Sequence, residues 1–414
     1  MPSVSAGRFA AAERMPEDEL QQRHERLRGI MHRRVPAASG MLVFSRVNIY
    51  YLTGTLGNGV LWLPVQGDPV LMLRRGLQRA RAESPLRHIV PFRSFSDVMP
   101  RCSDAGVPVG DVAAVEQGGL TWQLGTMLQE RMGGVSFAPA DSCLSACRSV
   151  KTEWELKKMR LAGARHHQAL RHLLPDRLHA GMTERQVAHA GWQVFYSLGH
   201  CGMMRMNAAG EEIFLGHVCA GDSGNYPSHF NGPLGLVGEH PAVPAMGYAG
   251  KVWQKGQVLS CDIGFCLEGY HTDKTQIYFA GAAAAVPDVV RRAHDVCVMI
   301  QQKTAEALKP GAVPSELYAQ ALQTARREGF EAGFMGVDDR KVAFLGHGIG
   351  LAIDDQPVIA ARFDAPVEKG MVFALEPKIG IEGTGMVGVE NTYEVTEDGC
   401  RCLTGDDFGI VCVE

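Results

Sequence analysis

Helical and strand-like spacings of apolar residues alternate over roughly the first 145 residues of the chain. Leu20, Leu27, Ile30 and Met31 fall on one helical face, and MLVFS at 41–45 is a short apolar strand. GVLWLPV and PVLMLRR flank Gln66, Gly67 and Asp68, which predicts a hairpin. Gly118, Gly119 and Leu120 precede a helical pattern that runs through Met132. The expectation for residues 1–147 is a small α/β domain without a catalytic cluster of its own.

A second domain is expected over residues 148–414. Thr152 with Glu155 forms the Thr-x-x-Glu pattern of a capping box, and a helix is predicted from there to about Leu174. Pro175 and Gly181 break it, and Thr183 with Gln186 opens the next helix, to about Leu198. A like unit follows. Val289, Val290, Ala293, Val296, Cys297 and Ile300 mark one helix face, Pro310 and Gly311 end it, and Ser315 opens a helix that closes near Gly329. Strand-rich sequence follows each helix pair. About 151–280 and 281–407 therefore read as two loosely similar halves of one α+β domain, an antiparallel sheet backed by helices.

Composition narrows the classes. At 414 residues the chain is long for a single core. Its 46% apolar and 21% charged content is that of a soluble globular protein, and a net charge of −4 with no basic patch argues against nucleic acid as a partner. No run of 18 apolar residues is present, so no membrane span is expected, and the N-terminal stretch carries charges where a signal peptide needs an apolar run. Eleven scattered cysteines with no C-x-x-C pair fit reduced thiols and a cytoplasmic setting. Cys261 and Cys266 read as small buried apolar residues.

The candidate chemistry lies in the last third. Asp262, Asp273, His347, Glu376 and Glu390 each sit in a short apolar stretch, where an unpaired charge is costly to bury. Asp262 and Asp273 lie in VLSCDIGFCLEGYHTDKTQIYF, whose strand-like flanks are interrupted by LEG. A hairpin folded between Leu267 and Glu268 puts the two carboxylates nearly opposite each other, where they repel unless cations lie between them. A solvent-facing acidic hairpin is the alternative. His347 stands in FLGHGIGL as a metal ligand or a core histidine of a glycine-rich turn. Glu376 in MVFALEPKIG and Glu390 in MVGVENTYEV lie within apolar strands, and Lys378 is an alternative partner for Glu376. Together the five suit two divalent metal ions, Mn²⁺ first given the carboxylate excess, with Co²⁺, Zn²⁺ or Fe²⁺ also compatible.

These stretches resemble the creatinase/aminopeptidase P family of pita-bread metallohydrolases, which includes prolidases and methionine aminopeptidases. RSVKTEWELKKMRLAG, AGMTERQVA, the Asp262-x-Gly264 segment with Asp273, GHGIGL, LEP and ENTYEVTEDG match in order, and Asn48 to Gly54 resembles the family's N-terminal domain. The resemblance implies a creatinase-like domain followed by a pita-bread domain with a curved antiparallel sheet and two helix pairs. It implies a Xaa-Pro aminopeptidase or prolidase acting through a metal-bridging hydroxide. Asp262 would chelate one metal, Asp273 and Glu390 would bridge, and His347 and Glu376 would complete the other shell. Glu376 would move the proton, and His229 would steady the oxyanion or bind substrate. A homodimer is also implied.

The pattern departs from prolyl peptidases of this family around the substrate. Their two further histidines fall at Ala343 and Asp354 here, the following glutamate at Asp355, and two arginines at Gly388 and Gln276. Asp354 or Asp355 is therefore a candidate contact for a cationic or hydrogen-donating substrate group, with a loop acid or helix cap as the alternative for Asp354. The departures also admit a non-peptidase reading on the same fold, an ectoine hydrolase-like or dimethylsulfoniopropionate lyase-like enzyme acting on a small molecule. A pita-bread binding module without catalysis is the third reading.

Overall fold

The computed structural model describes residues 10–202, 204–207, 213–228, 230–243, 245–338 and 341–414. The chain divides into two compact units, one ending at Arg148 and the other running from Ser149 to Glu414.

In the first unit, strands β1 (Gly40–Val43), β2 (Gly59–Pro64), β3 (Val70–Leu73), β4 (His88–Pro91), β5 (Val112–Val115) and β6 (Ser136–Pro139) form one sheet in the order β4-β3-β2-β1-β5-β6. The β2–β3 hairpin is antiparallel, with Trp62 opposite Val70, as the turn at Gln66 to Asp68 predicts. The helix Glu17–Arg34 buries Leu20, Leu27, Ile30 and Met31, the four residues of the predicted face. The helix Trp122–Arg131 starts where the Thr121 side chain accepts a hydrogen bond from Leu124 N. Leu42, Trp62, Met72, Phe92 and Phe95 share the core of this unit.

In the second unit both predicted capping boxes form. Thr152 opens the helix Glu153–His167 with Glu155, and Thr183 opens Glu184–Ser197 with Gln186. The first helix does not stay α-helical to Leu174. It widens into a π-helical stretch over Gln168–Leu173 ahead of Pro175. The helix Asp288–Ala307 buries Val290, Ala293, Val296, Cys297 and Ile300. Val289 departs from the expected face and is 44% exposed, because adjacent helical residues point about 100° apart. The fourth helix is Pro314–Arg327, with its proline at the first turn, where no N–H is needed.

The strands of this unit are β7 (Gly216–Ala220), β8 (Val258–Leu267), β9 (Tyr270–Ala280), β10 (Phe344–Gly348), β11 (Asp355–Ala360), β12 (Val372–Leu375), β13 (Lys378–Ile381), β14 (Gly385–Gly388), β15 (Asn391–Val395), β16 (Cys400–Cys402) and β17 (Val411–Val413). They pair as β17-β9-β8-β7, as β11-β10-β12-β15-β16 and as the hairpin β13-β14. All pairings are antiparallel except β17 on β9. One bridge, Thr275 to Glu390, stitches the first sheet to the approach of β15. Each helix pair backs its own strands. Val187 and Phe195 pack with Leu259, Ile263 and Phe265, while Val290 and Cys297 pack with Phe373, Leu375 and Val387.

The β8–β9 hairpin turns at Glu268 and Gly269, with φ of 52° and 87°. Two positive φ angles are the type I′ turn, which suits the twist of the strands and wants glycine at its second position. The turn is therefore centred one residue later than between Leu267 and Glu268. Asp262 stands opposite Thr275, and Asp273 opposite Gly264. The two aspartates are diagonal neighbours on one face rather than a facing pair.

All eleven cysteines are free thiols, and Cys261 and Cys266 are buried. Among the described residues no helix is long and apolar enough to cross a membrane.

Candidate metal centre

The two sheets and the β13–β14 hairpin bring the five predicted side chains together. Asp262 comes from β8, Asp273 from β9 and His347 from β10, while Glu376 follows β12 and Glu390 precedes β15. Asp273, Glu376 and Glu390 are buried, and β9 is buried along its whole length, so the hairpin is not a solvent-facing acidic loop.

Their donor atoms form two groups, each with atoms within 4.8 Å of one another: Asp273, His347 and Glu390, and Asp262, Glu376 and Glu390. Glu390 belongs to both. His347 Nε2 lies 3.4 Å from Glu376 Oε1 and 4.0 Å from Glu390 Oε1. His347 Nδ1 lies 3.1 Å from the Gly348 carbonyl. A carbonyl only accepts, so Nδ1 carries a proton here and Nε2 is the atom turned to the carboxylates, the one that would ligate a cation once its own proton is displaced.

Hydrogen bonds hold the carboxylates in place. Thr275 Oγ1 donates to Glu390 Oε2 at 3.0 Å, and Lys274 N donates to Asp273 Oδ1 at 3.0 Å. Thr392 Oγ1 accepts from Asp273 N at 2.8 Å and donates to Asp273 O at 2.9 Å, which locks the backbone beneath that carboxylate.

A cation of the chain itself occupies one of the two groups. Lys378 Nζ lies 3.2 Å from Asp262 Oδ2, 3.0 Å from Glu376 Oε2 and 2.8 Å from Glu390 Oε2. The Lys378 side chain is 1% exposed. The sequence points to it as a partner for Glu376 alone. Its bonds to Asp262 and Glu390 depend on how the strands pair, and no local motif encodes them.

The electrostatics follow from these contacts. Burial raises the Asp273 carboxyl to about 7, helped by the charge of Asp262. Burial and the Asp273 charge hold Glu390 well above the usual carboxylate range. Burial acts the same way on Asp262, but the Lys378 charge overcomes it and keeps that carboxyl low. Burial opposes the charged form of His347, yet Glu376 and Asp273 outweigh it and lift the imidazole to about 9.

The donor set fits a divalent ion at Asp273, His347 and Glu390, with one imidazole nitrogen and two carboxylates. It does not fit a second ion at Asp262, Glu376 and Glu390 as these side chains stand, because Lys378 Nζ bonds all three.

Around this centre, His229 lies outside the described residues. Asp354 is half-buried, and its Oδ1 accepts from Asn207 N at 2.7 Å while Asn207 Nδ2 donates to the Asp354 carbonyl at 2.6 Å. Ala343 is exposed just before β10, and Gln276 donates to the Ile277 and Gly409 carbonyls at 3.0 Å. His217 was not anticipated. It is buried on β7 opposite Asp262, with its ring 4.5 Å from that of Phe230. Only the β7–β8 register reveals that neighbourhood.

The Metallopeptidase family M24 model matches residues 157–397, and the Creatinase/Prolidase N-terminal domain model matches residues 23–150. A Xaa-Pro dipeptidase of Pyrococcus furiosus is 25% identical over 360 residues, 86% of this chain and 91% of that protein. A probable dipeptidase PepE of Mycobacterium bovis is 26% identical over 396 residues, 91% of this chain and 92% of that protein. The crystal structure of an X-Pro aminopeptidase from Thermotoga maritima superposes with a TM-score of 0.75 at 22% identity, covering 94% of this chain and 100% of that one.

Proposed function

We propose that this chain, which belongs to metallopeptidase family M24, is a metal-dependent Xaa-Pro peptidase, a dipeptidase or aminopeptidase that cleaves the bond before proline in short peptides. The observation that carries the reading is the convergence of Asp273, His347 and Glu390, with donor atoms within 4.8 Å, in the part of the chain that matches the family. Relatives named Xaa-Pro dipeptidase and probable dipeptidase, aligned over most of this chain, support the substrate class.

Asp273, His347 and Glu390 would hold a divalent ion, which when bound would supply Lewis acidity and lower the pKa of a bound water. The side chains do the rest. Glu376 has one oxygen held by Lys378 and the other turned towards His347. The oxygen towards His347 takes the proton of the attacking water and returns it to the departing nitrogen. Thr275 and Lys378 keep Glu390 oriented. Asp354 and His229 are the residues assigned to the substrate side. Mn²⁺, a homodimer and a cytoplasmic setting complete the reading.

The test is a peptide panel. Purified protein supplied with Mn²⁺ is assayed on Xaa-Pro dipeptides, Xaa-Pro-Xaa tripeptides and the same peptides with alanine for proline, with and without chelator. The expected result is prolyl turnover at least tenfold above alanyl turnover, abolished by the chelator. No hydrolysis of any peptide by metal-loaded protein overturns it.

One observation favours a second reading, a non-peptidase hydrolase or lyase acting on a small C–N or sulfonium compound. Ala343 and Asp354 stand where the family resemblance implies histidines in prolyl peptidases, so this chain lacks the two imidazole donors that the resemblance implies there. Turnover of such compounds without peptide hydrolysis would select it.

A further inference from the structure

Lys378 makes three short contacts, and all go to carboxylates of one cluster. An ammonium has three N–H donors and no acceptor. Here Asp262, Glu376 and Glu390 accept at 3.2, 3.0 and 2.8 Å, so its donor capacity is filled. The 2.8 Å contact to Glu390 has the length of a charge-assisted N–H···O bond, and those to Glu376 and Asp262 are longer. A divalent ion between the same oxygens would have to stand where Nζ stands.

The backbone leaves the lysine no easy way out. Its carbonyl accepts from Met335 N at 2.9 Å, and the preceding carbonyl, of Pro377, accepts from Val389 N at 3.1 Å. Lys378 pairs with Gly388 across the β13–β14 hairpin. A Cβ at Gly388 would come within 2.4 Å of Pro377 O, 2.7 Å of Lys378 Cα and 3.2 Å of Lys378 Cγ, so glycine makes the room in which the lysine stem runs. The side chain is 1% exposed, and withdrawing it would leave a buried cation without its carboxylate partners.

We infer that Lys378 is a built-in replacement for the second metal ion: its ammonium holds Asp262, Glu376 and Glu390, and the protein binds a single divalent ion per chain, at Asp273, His347 and Glu390. The inference rests on the metal-dependent reading above for that one ion, while the exclusion of a second rests on Lys378 alone. Lys378 is thus a positioning residue, orienting Glu376 and Glu390 as an ion would, without the Lewis acidity of one.

The test counts metal. Wild-type protein, Lys378→Met and Lys378→Arg are equilibrated with excess Mn²⁺, freed of unbound metal by gel filtration and analysed by inductively coupled plasma mass spectrometry. The expected result is one ion per chain in the wild type, one in Lys378→Arg and two in Lys378→Met, a twofold gain on removing the charge. Two ions in the wild type, or no gain in Lys378→Met, overturns the inference. No ion in the wild type with one gained in Lys378→Met upholds the role of the lysine and overturns the proposed metal site at Asp273, so the two failures are separable. If Lys378→Met does not fold, Mn²⁺ anomalous scattering from wild-type crystals decides. One peak at His347 with Nζ among the other carboxylates supports the inference; two peaks, or one at Asp262, overturn it.

Discussion

Thr275 and Glu390 are bonded twice, through the main chain and through the side chains. Thr275 N donates to Glu390 O at 3.2 Å, and Thr275 Oγ1 donates to Glu390 Oε2 at 3.0 Å. The first bond joins two sheets, and the second orients the one carboxylate shared by both groups of donors. Thr275→Val keeps the shape and removes the hydroxyl. Metal affinity is expected to fall by roughly 10–100-fold, the usual cost of losing a residue that orients a ligand. Thr275→Ser should restore most of it. Isothermal titration with Mn²⁺ reads both, and equal affinity in Thr275→Val and wild type would remove the hydroxyl from the account.

His347 is the nitrogen donor of its group, and Nδ1 is already tied to the Gly348 carbonyl. His347→Ala should weaken Mn²⁺ binding by at least about 100-fold and abolish turnover. Circular dichroism should show an intact fold. Retention of wild-type metal content by a folded variant would contradict the assignment.

Two buried histidines set an acid limit on the second unit. His271 Nδ1 donates to the Gly350 carbonyl at 2.8 Å, and its Nε2 accepts from Arg205 N at 3.1 Å, a pattern only the neutral ring satisfies. His200 Nδ1 accepts from Cys266 N at 3.0 Å. Burial lowers both rings from 6.5 to about 4. The unfolded chain therefore binds more protons than the folded one between these values. Their contribution is complete above pH 6.5 and is lost as pH falls towards 4, by up to about 1.4 kcal/mol per pH unit for each ring. Urea unfolding of wild type and His271→Asn at intervals from pH 7 to 4 isolates this ring, because the raised carboxyls of Asp273 and Glu390 act alike in both proteins, and the stability difference between the two should change with pH over this range. A difference independent of pH would show that the His271 ring does not titrate with unfolding.

Gly269 holds the hairpin that sets Asp262 and Asp273 diagonally. At φ 87° a side chain is strained, although a Cβ there would meet nothing closer than Leu351 Cδ2 at 3.8 Å. Gly269→Ala should cost about 1 kcal/mol or more through backbone conformation alone. Thermal melting checks it, and an unchanged midpoint would mean that the turn accepts another geometry.

Much of this architecture is written locally. The capping boxes at Thr152 and Thr183 need only residues three apart, and both formed. The face through Val290, Ala293 and Cys297 follows from helical period, which also explains why Val289 lies off it: a neighbour one position away lies about 100° round the helix. The hairpin between Asp262 and Asp273 was visible in the apolar flanks. Its centre was not, because a strand pattern of period two does not say which residues of a turn take positive φ.

The chain alone declared its ligand types, their order and the apolar settings that make isolated charges costly there, since hydrophobic period, caps and residue chemistry act over a few positions. It could not declare company across the fold. That Lys378 bonds Asp262 and Glu390 as well as Glu376, that His217 stands opposite Asp262, and that Glu390 is shared, all depend on strand register between segments up to 128 residues apart. Register is decided by the packing of whole sheets against their helices, and a buried charge takes its meaning from whichever partners that packing delivers.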